Sequence, residues 1–113
     1  MPQVNVIISH KLDEKRKNDL QLEIGAVMSI LPGKNIGNTY ISICDGCSMY
    51  RDGSITDAAF VDIRLFKASP EESKKDFSKK MFEIFKSVLN IEPDQIYMNF
   101  IELEHWVANG EYK

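Results

Sequence analysis

The chain has 113 residues, 27% of them charged and 43% hydrophobic, with a formal net charge of −3 at pH 7. That is the composition of one ordinary globular domain, small enough that self-association would help to stabilise it. The acidic balance argues against a general nucleic-acid binder. Lys74, Lys75, Lys79 and Lys80 are interleaved with Glu71, Glu72 and Asp76, and read as a solvated helix face. No apolar run is long enough for a bilayer span, and the N-terminus lacks the charged and then apolar regions of a signal peptide, so the expected location is the cytoplasm.

In chain order, Met1-Pro2 opens directly onto an alternating strand, Val4, Val6, Ile8. Initiator methionine is commonly removed before a small residue such as proline. Removal would leave a secondary amine at the first residue of a buried strand. Apolar surroundings withdraw hydration from the charged form and lower the amine's pKa. A base with a pKa near the working pH serves proton transfer best, which makes Pro2 a candidate catalytic base.

Leu20, Ile24, Val27, Met28 and Leu31 then form an apolar stripe at helical spacing, ended by Pro32-Gly33. A short strand, Tyr40-Ile41-Ser42-Ile43, leads into Cys44-Asp45-Gly46-Cys47. The Asp-Gly centre reads as a tight turn leaving the strand, with structural thiols, a redox pair or half of a metal site as the alternatives. A zinc site would need further ligands, and neither His10 nor His105 lies at a recognisable spacing. Tyr50-Arg51-Asp52-Gly53-Ser54 suggests a short hairpin arm. The next strand is apolar on what reads as both faces: Ala58, Ala59, Phe60, Val61, Ile63, Leu65 and Phe66. Ser69-Pro70-Glu71-Glu72 predicts a helix start with a serine cap and a capping box. The stripe Phe77, Met81, Ile84, Phe85, Val88 follows, closed by Asn90 and Pro93, and then the strand Tyr97-Met98-Asn99-Phe100. The tail from Trp106 carries Asn109-Gly110, a hairpin turn signal.

These elements repeat. Leu20 and Phe77, Val4 and Val61, and Tyr40 and Tyr97 are each 57 positions apart. Each half reads strand, helix, strand, and a helix-length crossover implies a parallel strand pair. The expected fold is α/β (α+β): two β-α-β repeats at about 2–46 and 58–103 in a single domain 1–113, with a tail at 104–113. They would form a four-stranded mixed sheet with two helices on one face. Each helix has one apolar stripe and covers one sheet face, so the other face is expected to be covered by further subunits.

Met1-Pro2 opening a strand, Pro32-Gly33-Lys34 after the first helix, Ala59-Phe60-Val61 in the third long strand and Asp94-Gln95-Ile96-Tyr97-Met98-Asn99-Phe100 before the tail together resemble the tautomerase superfamily. Within it the chain is similar to the macrophage migration inhibitory factor (MIF) branch, and especially to its bacterial members. The resemblance spans nearly the whole chain. It implies a homotrimer whose three sheets form a barrel with the helices outside, and active sites at the subunit interfaces. It assigns the catalytic base to Pro2 and carboxylate binding to Lys34. The apolar neighbour of the proline would be Phe66, with Arg64 and Leu65 nearby. Tyr97 and Asn99 would enter from the adjacent subunit, and Tyr40 and Trp106 would line the pocket. The implied activity is cofactor-independent keto–enol tautomerisation of the phenylpyruvate or dopachrome type, on a small aromatic α-keto acid or enol. The alternatives are a cytokine-like binding protein with little or no catalysis, or another proline-dependent reaction. No cofactor, metal, nucleic acid or membrane is implied, a protein receptor stays open, and the family analogy allows non-classical secretion.

A neutral amine can carry the proton between carbon and oxygen, and lowering its pKa by about two units corresponds to about 2.7 kcal/mol of differential stabilisation. Without the resemblance, Lys34 reads as a surface lysine after a turn, Tyr97 and Phe66 as strand residues, and Trp106 as an anchor for the tail. Asn99 is the more telling residue, because strands are depleted in asparagine. The chain also departs from the MIF pattern. Trp106-Val107-Ala108-Asn109-Gly110 stands where MIF has Asn-Val-Gly-Trp. Cys44 and Cys47 lie earlier than the CxxC of the animal cytokine, so no redox role carries over. Phe66 and Lys67 stand where the dehalogenase branch uses arginines.

Overall fold

The structure, a computed structural model, describes residues 2–113, and Met1 lies outside the described residues. The eight strands and two helices run β1 (Gln3–Ile8), α1 (Glu14–Val27), β2 (Tyr40–Cys44), β3 (Tyr50–Arg51), β4 (Ser54–Ile55), β5 (Ala59–Phe66), α2 (Glu71–Leu89), β6 (Ile96–Leu103), β7 (Val107–Ala108) and β8 (Glu111–Tyr112). The main sheet has the order β2-β1-β5-β6. β1 pairs with β2 and β5 with β6 in parallel, and β1 meets β5 antiparallel at the centre. This is the mixed four-stranded sheet expected from two strand-helix-strand units. The helix starts keep the repeat, since Glu14 and Glu71 are also 57 residues apart.

Period-2 alternation decides which side chains meet the helices. Val4, Val6 and Ile8 of β1 and Ala59, Val61, Ile63 and Leu65 of β5 are all buried on one face. Over them lie Leu20, Ile24 and Met28 from the first helical region and Phe77, Met81, Ile84 and Phe85 from α2. Burying a side chain such as Phe77 or Phe85 contributes about 1.5–3 kcal/mol. Among the described residues this core holds no buried polar side chain.

The other face of β5 is not apolar throughout. Phe60 and Phe66 share it with Asp62 and Arg64. Across the four strands, Ser42, Asn5, Asp62 and Asn99 stand in one row, because Asn5 is opposite both Ser42 and Asp62, and Asp62 is opposite Asn99. Among the described residues no helix covers this face.

The two helices start differently. Asp13 caps α1, its Oδ1 accepting the Arg16 N–H at 2.9 Å. The serine cap expected for α2 does not form: Pro70 occupies the cap position without a side-chain bond. Instead the Ser69 N–H donates to Glu102 Oε2 at 2.6 Å, and Lys74 Nζ donates to Glu102 Oε1 at 2.7 Å. These bonds hold the Glu102 carboxyl below the ordinary carboxylate range, the lysine contributing most. A carboxylate from β6 thus satisfies the chain entering the helix, a partner that local sequence does not reveal. At the far end, Asn90 adopts the left-handed conformation and its N–H donates to the carbonyls of Lys86 and Phe85. The two hairpins fall where the turn signals put them, β3 with β4 and β7 with β8. Among the described residues no helix is long and apolar enough to cross a membrane.

Candidate active site

Pro2 is buried at the entrance of β1, and its carbonyl accepts the Tyr40 N–H at 3.2 Å. This bond ties the start of β1 to the start of β2. A cavity of about 600 Å³ opens beside it, lined by Pro2, the segment 37–40 and the segment 106–109. Tyr40 is 82% exposed and forms an aromatic wall. Trp106 faces the cavity from the base of the tail hairpin, where its carbonyl accepts the Lys113 N–H at 2.7 Å.

The 33–39 loop that builds one wall is firmly braced. Gly33 takes φ +77°, the conformation needed to turn after Pro32. Asn35 and Asn38 cap each other: the Asn35 N–H donates to Asn38 Oδ1 at 3.0 Å, and the Asn38 N–H to Asn35 Oδ1 at 3.1 Å. Asn38 Nδ2 also donates to the Gly33 carbonyl at 3.1 Å. Ile36 sits against Gly25 of α1, where an added Cβ would lie 2.5 Å from Ile36 Cδ1. The absence of a side chain at Gly25 is what lets the loop approach the helix.

Of the residues expected from the sequence, the structure brings Pro2, Tyr40 and Trp106 into this cavity. Lys34 is half-buried in the bracing loop but does not line the cavity, and its N–H donates to the Leu31 carbonyl at 3.0 Å. Leu65 is fully buried under the helices, and Arg64, opposite Gln3, is exposed. Continuing that antiparallel register by one step places Leu65, rather than Phe66, opposite Pro2. Phe66 lies on the uncovered face, with Lys67 Nζ 5.2 Å from its ring centre.

Tyr97 and Asn99 stand apart from the Pro2 cavity of the same chain. Tyr97 is 66% exposed beneath the Arg51 guanidinium, which lies 5.5 Å from its ring centre. Asn99 Nδ2 donates to Asp62 Oδ1 at 2.7 Å, while Asn99 Oδ1 is buried without a partner. Sequence reasoning missed Asn38, Thr39 and Asn109 as cavity residues, and Asp62 as the partner of Asn99. The Asn35-x-x-Asn38 spacing was a usable signal for the first, and an acid inside an apolar strand for the last.

The family model described as macrophage migration inhibitory factor (MIF) matches residues 1–111. The chain belongs to this family. Solved structures agree with the MIF assignment at the level of fold. The MIF2 of Leishmania major superposes with a TM-score of 0.90 at 20% identity, covering 100% of this chain and 97% of its own. The MIF-like protein of Entamoeba histolytica gives 0.86 at 21% identity, covering 99% and 98%. Pt0534, solved after inactivation by 2-oxo-3-pentynoate, gives 0.84 at 10% identity, covering 96% and 93%. No curated protein sequence matches the chain.

Proposed function

We propose that this MIF-family chain is a cofactor-independent keto–enol tautomerase for aromatic α-keto acids of the phenylpyruvate type, with the nitrogen of Pro2 as the proton carrier. The observation that carries the reading is the position of Pro2: buried, directly before β1, and lining a cavity with two aromatic residues. Loss of Met1, which lies outside the described residues, would expose that nitrogen as a secondary amine.

The reaction needs no other group to change charge. The neutral amine takes a proton from the carbon beside the ketone, and that C–H electron pair becomes the C=C bond of the enolate. The ammonium then returns the proton to the enolate oxygen. Tyr40 and Trp106 offer aromatic faces to the substrate ring. Lys34 is within the loop that walls the site and would meet the substrate carboxylate after a side-chain rotation. Tyr97 and Asn99 would reach the cavity from a second protomer, which agrees with their separation from Pro2 within one chain. In a homotrimer the uncovered sheet faces would enclose a shared interior, and an enolate oxygen could then find donors on the adjoining chain.

Intact mass of the natively expressed protein should show loss of one methionine. Phenylpyruvate enol–keto turnover should fall by about 10²-fold or more in Pro2→Gly, the scale of a lost acid–base group. Undiminished turnover in that variant removes Pro2 from the mechanism. The alkynyl 2-oxo acid that inactivates Pt0534 offers a covalent probe, since its activated triple bond is open to addition by an amine. One equivalent should add to the protein, and the adduct should map to the peptide that begins at Pro2.

A binding role for the same trimer has its own support in exposed apolar side chains on the two hairpins, Tyr50, Ile55, Val107 and Tyr112. Full turnover in a chain stripped of the Tyr50, Ile55 and Tyr112 side chains, which do not line the Pro2 cavity, together with lost partner binding, would separate that role from catalysis.

A further inference from the structure

The 57-residue repeat extends beyond the main strands and helices. The tail hairpin, β7 with β8, stands 57 residues after the β3–β4 arm, strand for strand. Its turn residues Asn109 and Gly110, at φ +54° and +75°, match Asp52 and Gly53, at +53° and +75°. The one-turn 3₁₀ helices Ile36–Asn38 and Pro93–Gln95 are separated by the same 57, and each carries a reciprocal cap at its start. These are the elements that frame the Pro2 cavity, so the chain builds that frame twice.

The second frame also encloses a cavity, of about 300 Å³. Ala59 stands there in the place of Pro2, Tyr97 in that of Tyr40 and Gln95 in that of Asn38. Met49, Tyr50 and Arg51 of the arm replace Trp106, Val107 and Ala108 of the tail. Two of these exchanges decide what the copy can do. Ala59 lies within the chain, so its nitrogen is an amide and cannot carry a proton. Arg51 puts a guanidinium where the Pro2 cavity has a methyl group. Its Nη2 donates to the Asp94 carbonyl at 3.0 Å, and the group lies 5.5 Å from the Tyr97 ring centre. The tie to Asp94 holds the arm against the start of β6 and leaves further guanidinium N–H groups for an anion. Gln95 is fixed by the Glu92 N–H, which donates to its Oε1 at 2.9 Å, and it keeps its Nε2 donors. Phe60 and Tyr50 complete the aromatic walls.

We propose that this second cavity is a non-catalytic binding site for a small aromatic carboxylate, with Arg51 pairing the carboxylate and Tyr50, Phe60 and Tyr97 packing the ring. A planar guanidinium matches a carboxylate through two parallel hydrogen bonds. The volume stands at the low end for ligand sites and suits one ring with a short acid side chain. The cavity shares no lining residue with the Pro2 cavity of the same chain, so the two fill independently. Tyr97 serves here through its ring, which leaves its hydroxyl for the adjoining protomer in the proposed trimer.

The test titrates the full ¹⁵N-labelled chain with 3-phenylpropanoate, an aromatic acid without the ketone that tautomerisation needs. Amide shifts of residues 49–51 and 95–97 should saturate, independently of any change at 37–40 and 106–109. 3-Phenylpropanamide, with the same ring and no charge, should bind there about tenfold more weakly or worse, the scale of a lost charged hydrogen bond. Arg51→Gln, checked for unchanged circular dichroism, should lose about tenfold or more in affinity for the acid at the same residues. Arg51→Lys should recover only part of that loss, because an ammonium lacks the planar fork. Shifts at 49–51 and 95–97 that do not saturate, a site that binds acid and amide alike, or an Arg51→Gln chain that binds as tightly as wild type overturns the proposal. No turnover is read, so the proposal stands or falls apart from the role of Pro2.

Discussion

The two faces of one sheet are built to different rules. Under the helices, β1 and β5 contribute only apolar side chains, and the face is complete within one chain. On the opposite side, a polar row of Ser42, Asn5, Asp62 and Asn99 crosses all four strands, flanked by Ile7 and Phe60 and by the half-buried Phe66. The covered face explains why the chain folds. The uncovered face, with aromatic groups beside paired amide and carboxylate groups, is left incomplete by the described residues. Asn99 makes the same point on the scale of one atom, since its Oδ1 is buried and has no donor among the described residues.

The sharpest way to break this comparison is to make similar changes on both sides. Phe77→Ala, on the covered side, should destabilise the fold by about 3–5 kcal/mol in urea titrations. Phe60→Asp, on the uncovered side, should leave circular dichroism unchanged and shift sedimentation from oligomer to monomer. A variant that sediments as wild type would show that this face is not an interface.

Glu102 tests the rim between helix and sheet. Its folded pKa lies below the ordinary 4.5, so its contribution is complete above that value and is lost as pH falls through the lower folded value. Glu102→Gln should therefore cost about 1–2 kcal/mol near pH 7, with the gap to wild type closing in paired thermal melts as pH falls below the ordinary 4.5 and through the lower folded value. An unchanged gap in strong acid would contradict the Ser69 and Lys74 bonds as its source. The smallest effect is expected at Gly25→Ala. Crowding against Ile36 should cost about 1–3 kcal/mol, offset by about 1 kcal/mol of helix propensity. The displaced loop should raise KM more than it lowers kcat, which turnover measurements read directly.

Most of the architecture was legible because it follows periodicity. The apolar stripes, the 57-residue offset and both hairpin turns depend on local spacing, and the structure keeps them. The start of α2 was not legible in the same way. Ser69-Pro70-Glu71-Glu72 has the local form of a cap, but a tertiary partner, Glu102, takes the backbone donor first. The strand 59–66 shows the opposite difficulty: Phe60 and Phe66 made both faces look apolar, while strict alternation sets them beside Asp62 and Arg64. At the site, Pro2 was singled out by its chemistry and place before a strand, while Tyr40 and Trp106 were put in the pocket only by the family resemblance. Asn38, Thr39 and Asn109 were not, because loop residues carry no period and their placement depends on the bracing by Asn35 and Gly25.

The account turns on the protonation of one nitrogen. Titration of protein labelled with ¹⁵N-proline, followed at Pro2 by NMR, reads it without reference to any substrate. The account expects a pKa clearly below the ordinary α-amino value of about 8, because the nitrogen is buried in apolar surroundings. A value of 8 or above, or a nitrogen that never titrates because methionine still caps it, would contradict the proposal.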